Sequence, residues 1–169
     1  MAERTITISS LSKTFSITGW RLGYAIAPAE MSVAIRKVHD FLTVGAPAPL
    51  MEAAAIGYSY PDSYYQQLSD EYRDRRDYLA GPLRDAGFKF ANPAGAYYFF
   101  ADFSAISKDD DVTFAKWMTR EIGVATVPGS SFYRPGASAG SKYTRFAFCK
   151  QRATLEKAVE KLAKLKQLV

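Results

Sequence analysis

Three residues near the start of the chain, Ser10, Lys13 and Arg21, could together carry out amine chemistry beside a phosphate group. An unprotonated lysine amine is a nucleophile, and both burial and a neighbouring cation favour the unprotonated form. Arg21 lies eight residues after Lys13 and offers such a cation, together with a planar guanidinium that suits a phosphate. Ser10 precedes the lysine by three residues and adds a hydroxyl donor.

An amine nucleophile beside a phosphate site is what an enzyme that uses pyridoxal phosphate requires. A second interpretation stays open on spacing alone, because Ser, Lys and Arg in surface loops are usually solvated. Gly19 and Gly23 favour tight turning and close backbone approach within the same segment. These residues therefore have two interpretations. They could form a pyridoxal phosphate site on a turn, or they could be ordinary solvated residues of a surface loop.

The composition is that of a globular chain and excludes several classes of protein. Its 169 residues are 48% hydrophobic and 23% charged, which is enough apolar side chain for a core. One Cys and one His exclude a disulfide framework and a zinc site built from several such ligands. The chain has no run of about 18 apolar residues, so we expect no membrane span. A single Cys fits a reducing compartment and predicts a cytoplasmic protein.

The net charge of +5 is concentrated in residues 150–169, which hold six Lys or Arg and two Glu. A basic segment can bind nucleic acid. Here, however, apolar residues recur at steps of three and four, which predicts an amphipathic helix with a solvated lysine face. We therefore expect no nucleic-acid partner. The apolar positions are Leu155, Val159, Leu162, Leu165 and Val169.

Residue patterns predict two opening strands, a long helix and then a mixed unit. Alternating β-branched residues predict a short strand at 4–9, and an apolar run predicts a buried strand at 23–27. Gly81 and Pro82 are expected to kink or break the long helix. The long helix is predicted to begin at 61 and to be ended by Gly87. Further helices are predicted at 29–42, 47–57, 111–122 and after 150, and further strands at 88–90, 97–102, 124–127 and 143–149.

Residues 10–24 closely resemble the lysine signature of class I and II aminotransferases, which are fold type I enzymes that use pyridoxal phosphate. Residues 39–42, followed by Pro47, are similar to the branch of that family that handles aromatic, kynurenine-like and methionine-like amino acids. Further resemblance lies at residues 93–98, 127–132 and 145–148.

The resemblance implies a mixed α/β and α+β fold. Residues 1–60 would be the end of the fold type I large domain, which binds the cofactor. Residues 61–169 would be a long connecting helix followed by the small C-terminal α+β domain.

The resemblance also implies a role for each matching residue. Lys13 would hold pyridoxal phosphate as a Schiff base and then move a proton between the substrate Cα and the cofactor. Ser10 and Arg21 would bind the cofactor phosphate, whereas Ser12 would shape the turn. Arg145 would bind the substrate α-carboxylate through both arms of its guanidinium, the other interpretation being an exposed or strand-paired arginine.

For five further residues, packing is one of the possible roles. Tyr97, Tyr98 and Phe132 could line the substrate access path or pack in the core. His39 favours packing or capping over catalysis. Cys149, on an apolar strand, is expected to be inert core.

The family's other cofactor-binding elements precede its lysine, and only 12 residues precede Lys13. We therefore expect the C-terminal part of an aminotransferase that moves an amino group from an amino acid to a 2-oxo acid, with little or no activity as a lone chain. Uncovered apolar surface is expected to drive association into a homodimer. Two other interpretations stay open: a lyase or synthase of the same fold that uses pyridoxal phosphate, and a non-catalytic interaction module.

Overall fold

The computed structural model describes residues 1–167, which divide into two compact units between Leu68 and Ser69. The predicted domain division after residue 60 stays a prediction. The strands are β1 (Thr7–Ser10), β2 (Gly23–Ile26), β3 (Tyr98–Asp102), β4 (Val127–Pro128) and β5 (Tyr143–Ala147). The helices are α1 (Ala29–Thr43), α2 (Ala48–Gly57), α3 (Asp62–Asp85), α4 (Asp111–Trp117) and α5 (Arg152–Leu162).

The first unit opens with an antiparallel pair, β1 and β2, whose register sets Ser10 opposite Gly23. A Cβ atom at position 23 would lie 2.7 Å from the carbonyl oxygen of Ser9, so this pairing requires glycine. The loop between the strands is therefore closed tightly at its base. It packs on a small buried cluster formed by Leu11, Leu22 and Ala54.

The prediction that the second strand is buried is wrong, because all four residues of β2 are exposed. Ile26 is 64% exposed, and Ile8 on the paired strand is 80% exposed. An apolar run predicts burial only when another layer lies against the strand, and within residues 1–167 no third strand joins this pair.

Helix α1 carries the predicted apolar surface. None of its residues is buried, and Phe41 and Leu42 are 93% and 76% exposed. The spacing of its apolar residues predicts this helix at nearly the observed bounds. The expected exposure of apolar surface is therefore confirmed for the first unit.

Helix α3 continues through Gly81 and Pro82, so no break occurs there, and the kink that the sequence also allowed stays a prediction. A proline removes one helical donor, and here the cost is offset because Leu83, the next residue, is fully buried in the core. Gly87, at φ +94°, ends the helix as predicted, with the amide of Phe88 donating to the carbonyl of Leu83 at 3.1 Å.

The second unit is built on an antiparallel sheet with strand order β3-β5-β4. Residues on β3 and β5 alternate between buried and half-buried, so one sheet face forms the core and the other is partly open. The helices α3, α4 and α5 contribute to this core. Its largest buried side chains include Leu83, Phe99, Phe103, Phe114, Met118, Phe148 and Leu162.

Three of the short strands differ clearly from their predictions. Residues 88–90 form only a single bridge, between Lys89 and Asp102. Strands β1 and β4 each begin three residues later than predicted, and Arg4 belongs instead to a 3₁₀ turn. The helix predicted at 111–122 is α4 followed by a π-helical turn that ends at Gly123. The carboxylate of Asp110 caps α4 and accepts hydrogen bonds from the backbone amide and the hydroxyl of Thr113. These bonds, the amide bond most of all, lower the pKa of Asp110.

The last helix, α5, is amphipathic as predicted, with Leu155 and Leu162 buried and Lys157 exposed. Val169, predicted to continue its apolar face, lies outside the described residues. In the part of the chain that the structure describes, no helix is both long and apolar enough to cross a membrane. The cytoplasmic location stays a prediction.

Candidate functional site

Lys13 lies in the tight turn that follows β1, as the sequence predicts. The amide of Phe15 donates to the carbonyl of Leu11 at 3.1 Å, and the amide of Ser16 donates to the carbonyl of Lys13 at 3.4 Å. These bonds close the turn around the lysine, whose side chain is half-buried. The turn is thus a defined backbone structure and not an extended surface loop.

Thr18 brings the amine of Lys13 and the guanidinium of Arg21 to one place. The Nζ of Lys13 donates to the Thr18 hydroxyl oxygen at 3.0 Å, and Arg21 Nη1 donates to the Thr18 carbonyl oxygen at 3.0 Å. The Thr18 hydroxyl in turn donates to the carbonyl of Ser12 at 3.1 Å. Sequence reasoning did not single out Thr18, although a hydroxyl five residues after the lysine was the available signal.

Ser10 and Ser12 form a second part of the same loop. The Ser10 hydroxyl donates to the Ser12 hydroxyl oxygen at 2.8 Å and accepts from the Ser12 amide at 3.1 Å. Ser12 is only 8% exposed, which supports its predicted role in shaping the turn. Ser10 is the more exposed of the two and has the hydroxyl that could turn toward an incoming anion.

Arg21 has a left-handed backbone, with φ 57° and ψ 39°. A residue with a Cβ adopts this conformation at some cost in energy, and such residues concentrate at functional sites. It directly follows the 3₁₀ turn Thr18–Trp20 and precedes the buried Leu22. Together with Ser10 and Lys13, it gives a donor set that could hold a phosphate monoester beside a reactive amine.

Arg145 lies in the second unit, on the central strand of its sheet. The register places it opposite Phe100 on β3 and opposite Val127 on β4, and strand alternation puts its side chain on the partly open face. It borders a cavity of about 330 Å³. The other residues that line this cavity are Tyr98, Phe100, Phe132 and Tyr133.

The guanidinium of Arg145 is held by aromatic rings and keeps a free donor. Its central carbon lies 4.7 Å from the ring centroid of Phe132 and 5.2 Å from that of Tyr98. Its Nε is buried and has no hydrogen-bond partner among the residues that the structure describes. A buried donor without a partner is uncommon in proteins, and an anionic ligand would supply the missing acceptor. The cavity could therefore bind a carboxylate attached to an apolar group.

The other residues singled out from the sequence lie in several different places. Tyr98 and Phe132 line the Arg145 cavity, whereas Tyr97 packs against the buried core. His39 lies on the exposed side of α1, with its Nε2 2.9 Å from the hydroxyl oxygen of Thr43. Cys149 is a half-buried free thiol that follows the end of β5, so its predicted core position on this strand is wrong.

Phe100 and Tyr133 are cavity residues that sequence reasoning missed. Phe100 could have been found, because it lies two residues after Tyr98 on one strand and therefore on the same sheet face. Tyr133 lies just beyond the 3₁₀ turn Gly129–Phe132, where no periodicity exists to place it.

Comparisons with known proteins were consistent across sequence and structure. Residues 1–162 match the family model described as aminotransferase class I and II. The kynurenine–oxoglutarate transaminase of Dictyostelium discoideum is 38% identical over 99% of this chain and 43% of its own length. The methionine aminotransferase of Escherichia coli (strain K12) is 38% identical over 98% of this chain and 42% of its own length.

Solved structures of aminotransferases resemble this chain as well. An Escherichia coli protein whose structure identified a methionine aminotransferase function superposes with a TM-score of 0.87 at 38% identity, over 96% of this chain and 42% of its own. The N-succinyldiaminopimelate aminotransferase of Mycobacterium tuberculosis gives a TM-score of 0.89 at 37% identity, over 98% and 43%. The chain thus spans less than half the length of these relatives.

Proposed function

From the premise that the chain belongs to the class I and II aminotransferase family, we propose that Lys13, Ser10 and Arg21 bind pyridoxal phosphate for the transfer of an amino group between an amino acid and a 2-oxo acid. The predicted family and its fold type I architecture are confirmed. Members of this family in general use pyridoxal phosphate. The observation that carries the proposal is the meeting of the Lys13 amine and the Arg21 guanidinium at Thr18.

Each residue of the loop has a distinct part in this chemistry. Bound pyridoxal phosphate supplies an electron sink for charge that develops at the substrate Cα. The Lys13 amine attaches the cofactor and then accepts and returns the proton at that carbon. The Thr18 hydroxyl orients the amine, while Ser10 and Arg21 hold the phosphate through charge-assisted hydrogen bonds.

Arg145 would bind the α-carboxylate of the substrate. Its partnerless Nε supports this role, and the aromatic rings around it favour substrates with an apolar or aromatic side chain. Relatives named for kynurenine and methionine agree with that class. We therefore propose an aromatic or methionine-like amino acid as the amino donor.

The first test compares pyridoxal phosphate with pyridoxal, which lacks the phosphate. We expect the chain to bind pyridoxal phosphate about 10- to 100-fold more tightly, because the phosphate adds charge-assisted bonds. Arg21→Gly should remove most of this difference, since glycine accepts the left-handed backbone at position 21 without strain. Arg36→Ala, at an exposed position on α1, is the control. Equal affinities of the wild type for the two compounds would refute phosphate recognition.

A second test concerns Arg145 and uses phenylpyruvate, a 2-oxo acid with an aromatic side chain. Loss of a charged donor to its carboxylate should weaken binding to Arg145→Ala by about 10- to 100-fold, measured by calorimetry. Arg134→Ala, in an exposed loop, should bind as the wild type does. Phenylpyruvate should also bind more tightly than pyruvate, because its ring contacts the aromatic walls. Unchanged affinity in Arg145→Ala would contradict the assignment.

We also propose that the chain forms a homodimer through the apolar surface of its first unit. The most exposed apolar residues there include Ile8, Phe41, Leu42 and Val44. Sedimentation velocity should give a species of twice the 18.7 kDa chain mass, and Phe41→Glu should shift it toward monomer. A monodisperse monomer of the wild type at high concentration would count against this proposal.

A further inference from the structure

We propose that Tyr64 is a positioning residue for Lys13, acting through the backbone of the lysine turn. The inference rests on the proposed function, in which Lys13 is the residue that attaches pyridoxal phosphate. All of the residues involved lie in the first unit.

The direct contact is a hydrogen bond across 50 residues of sequence. The Tyr64 hydroxyl donates to the carbonyl oxygen of Thr14 at 2.6 Å. Thr14 is the residue after Lys13, so this bond fixes the peptide unit next to the lysine. The bond is partly buried, and water therefore competes with it less than at an exposed site.

Phe15, the next residue along the turn, is held by the same segment of chain. Its ring stacks on Tyr64 with centroids 6.1 Å apart. A Cβ atom at position 57 would lie 2.8 Å from the Phe15 ring, so the ring occupies space that only glycine leaves open. Edge-on contacts to Phe15 come from Tyr58, Tyr60 and Tyr65.

These contacts restrain the lysine turn from its C-terminal side. On the N-terminal side, the amide of Leu11 donates to the carbonyl of Leu22 at 3.1 Å and extends the pairing of β1 and β2. Lys13 is therefore fixed at both ends before any ligand binds. A group held in this way loses less entropy when it forms a bond, so covalent attachment of the cofactor is favoured.

The adjacent Tyr65 provides a matched control. Its hydroxyl donates at 3.1 Å to the carbonyl of Gly57, which lies outside the lysine turn. Tyr64→Phe and Tyr65→Phe each remove one hydroxyl and keep the ring, so both should lose a similar amount of stability. Only Tyr64→Phe removes the restraint on Thr14.

The experiment measures attachment of pyridoxal phosphate to Lys13 itself. Each protein is titrated with pyridoxal phosphate and reduced with borohydride, and the labelled peptides are quantified by mass spectrometry. We expect Tyr64→Phe to raise the concentration for half-maximal labelling of Lys13 by about three- to tenfold, the effect of one hydrogen bond. Tyr65→Phe should label Lys13 as the wild type does. Labelling of Lys37, which is exposed on α1, should be equal in all three proteins.

The labelling experiment distinguishes failure of the positioning role from failure of the proposed function. Equal labelling of Lys13 in Tyr64→Phe and Tyr65→Phe, with equal thermal unfolding midpoints, would overturn the positioning role and leave the proposed function intact. A wild type that labels Lys13 no better than Lys37 would overturn the proposed function and the positioning role with it. A larger unfolding shift in Tyr64→Phe that fully accounts for its weaker labelling would also overturn positioning.

Discussion

We expect the chain to form a saturable visible absorbance band with pyridoxal phosphate, and we expect Lys13→Ala to abolish that band. The band arises when an amine binds the cofactor covalently, and alanine has no amine. Other lysines can react weakly, but within residues 1–167 Lys13 is the lysine whose amine donates to Thr18, the residue that also accepts from Arg21. The band should therefore fall to the weak, non-saturating absorbance that solvent-exposed lysines give.

Lys37→Ala is the control for this experiment, because Lys37 is an exposed lysine on α1 in the same unit. It should retain the full band at the same cofactor concentration. A Lys13→Ala variant that forms the same band as the wild type would show that the turn does not hold the cofactor. In that case the non-catalytic interaction module would be the better interpretation of the chain.

Gly129→Ala is expected to destabilise the second unit strongly, by about 3 kcal/mol or more in the free energy of unfolding. A Cβ atom there would collide with the carbonyl oxygen of Gly140 and would lie 2.7 Å from that of Tyr143. Both obstacles are backbone atoms, which cannot rotate away as a side chain can. Chemical denaturation of the purified chain would measure the loss.

Gly95→Ala is the matched control, since a Cβ atom at Gly95 would meet nothing within 4 Å. It should leave the unfolding midpoint almost unchanged. Because Gly129 begins the 3₁₀ turn that carries Phe132, any folded Gly129→Ala protein should also bind phenylpyruvate more weakly. Equal midpoints for the two variants would contradict the close packing of this turn against the loop at Gly140.

The residues of the lysine loop could be predicted because the loop is local. Ser10, Lys13 and Arg21 lie within twelve residues, and the pairing of β1 with β2, which sets Ser10 opposite Gly23, brings the two ends of this segment together. The same holds for α1 and α5, whose apolar residues repeat with the period of a helix. Short stretches of sequence are therefore enough to predict local structure of this kind.

Burial and helix continuity could not be predicted in the same way. The apolar run of β2 predicted a buried strand, yet the strand is exposed, because burial depends on which layer lies against it. Gly81 and Pro82 predicted a kink or a break, yet α3 continues without a break, because the packing of Leu83 into the core outweighs the lost hydrogen bond. Both outcomes depend on residues distant in sequence.

The sequence by itself therefore determined the family and the order of most elements, and it predicted the loop that carries Ser10, Lys13 and Arg21. Only the tertiary structure decided that Tyr64 holds the turn at Thr14, and that Phe100 and Tyr133 join Arg145 around one cavity. The physical reason is that these contacts join segments far apart along the chain. Their formation depends on strand register and core packing, which no local pattern encodes.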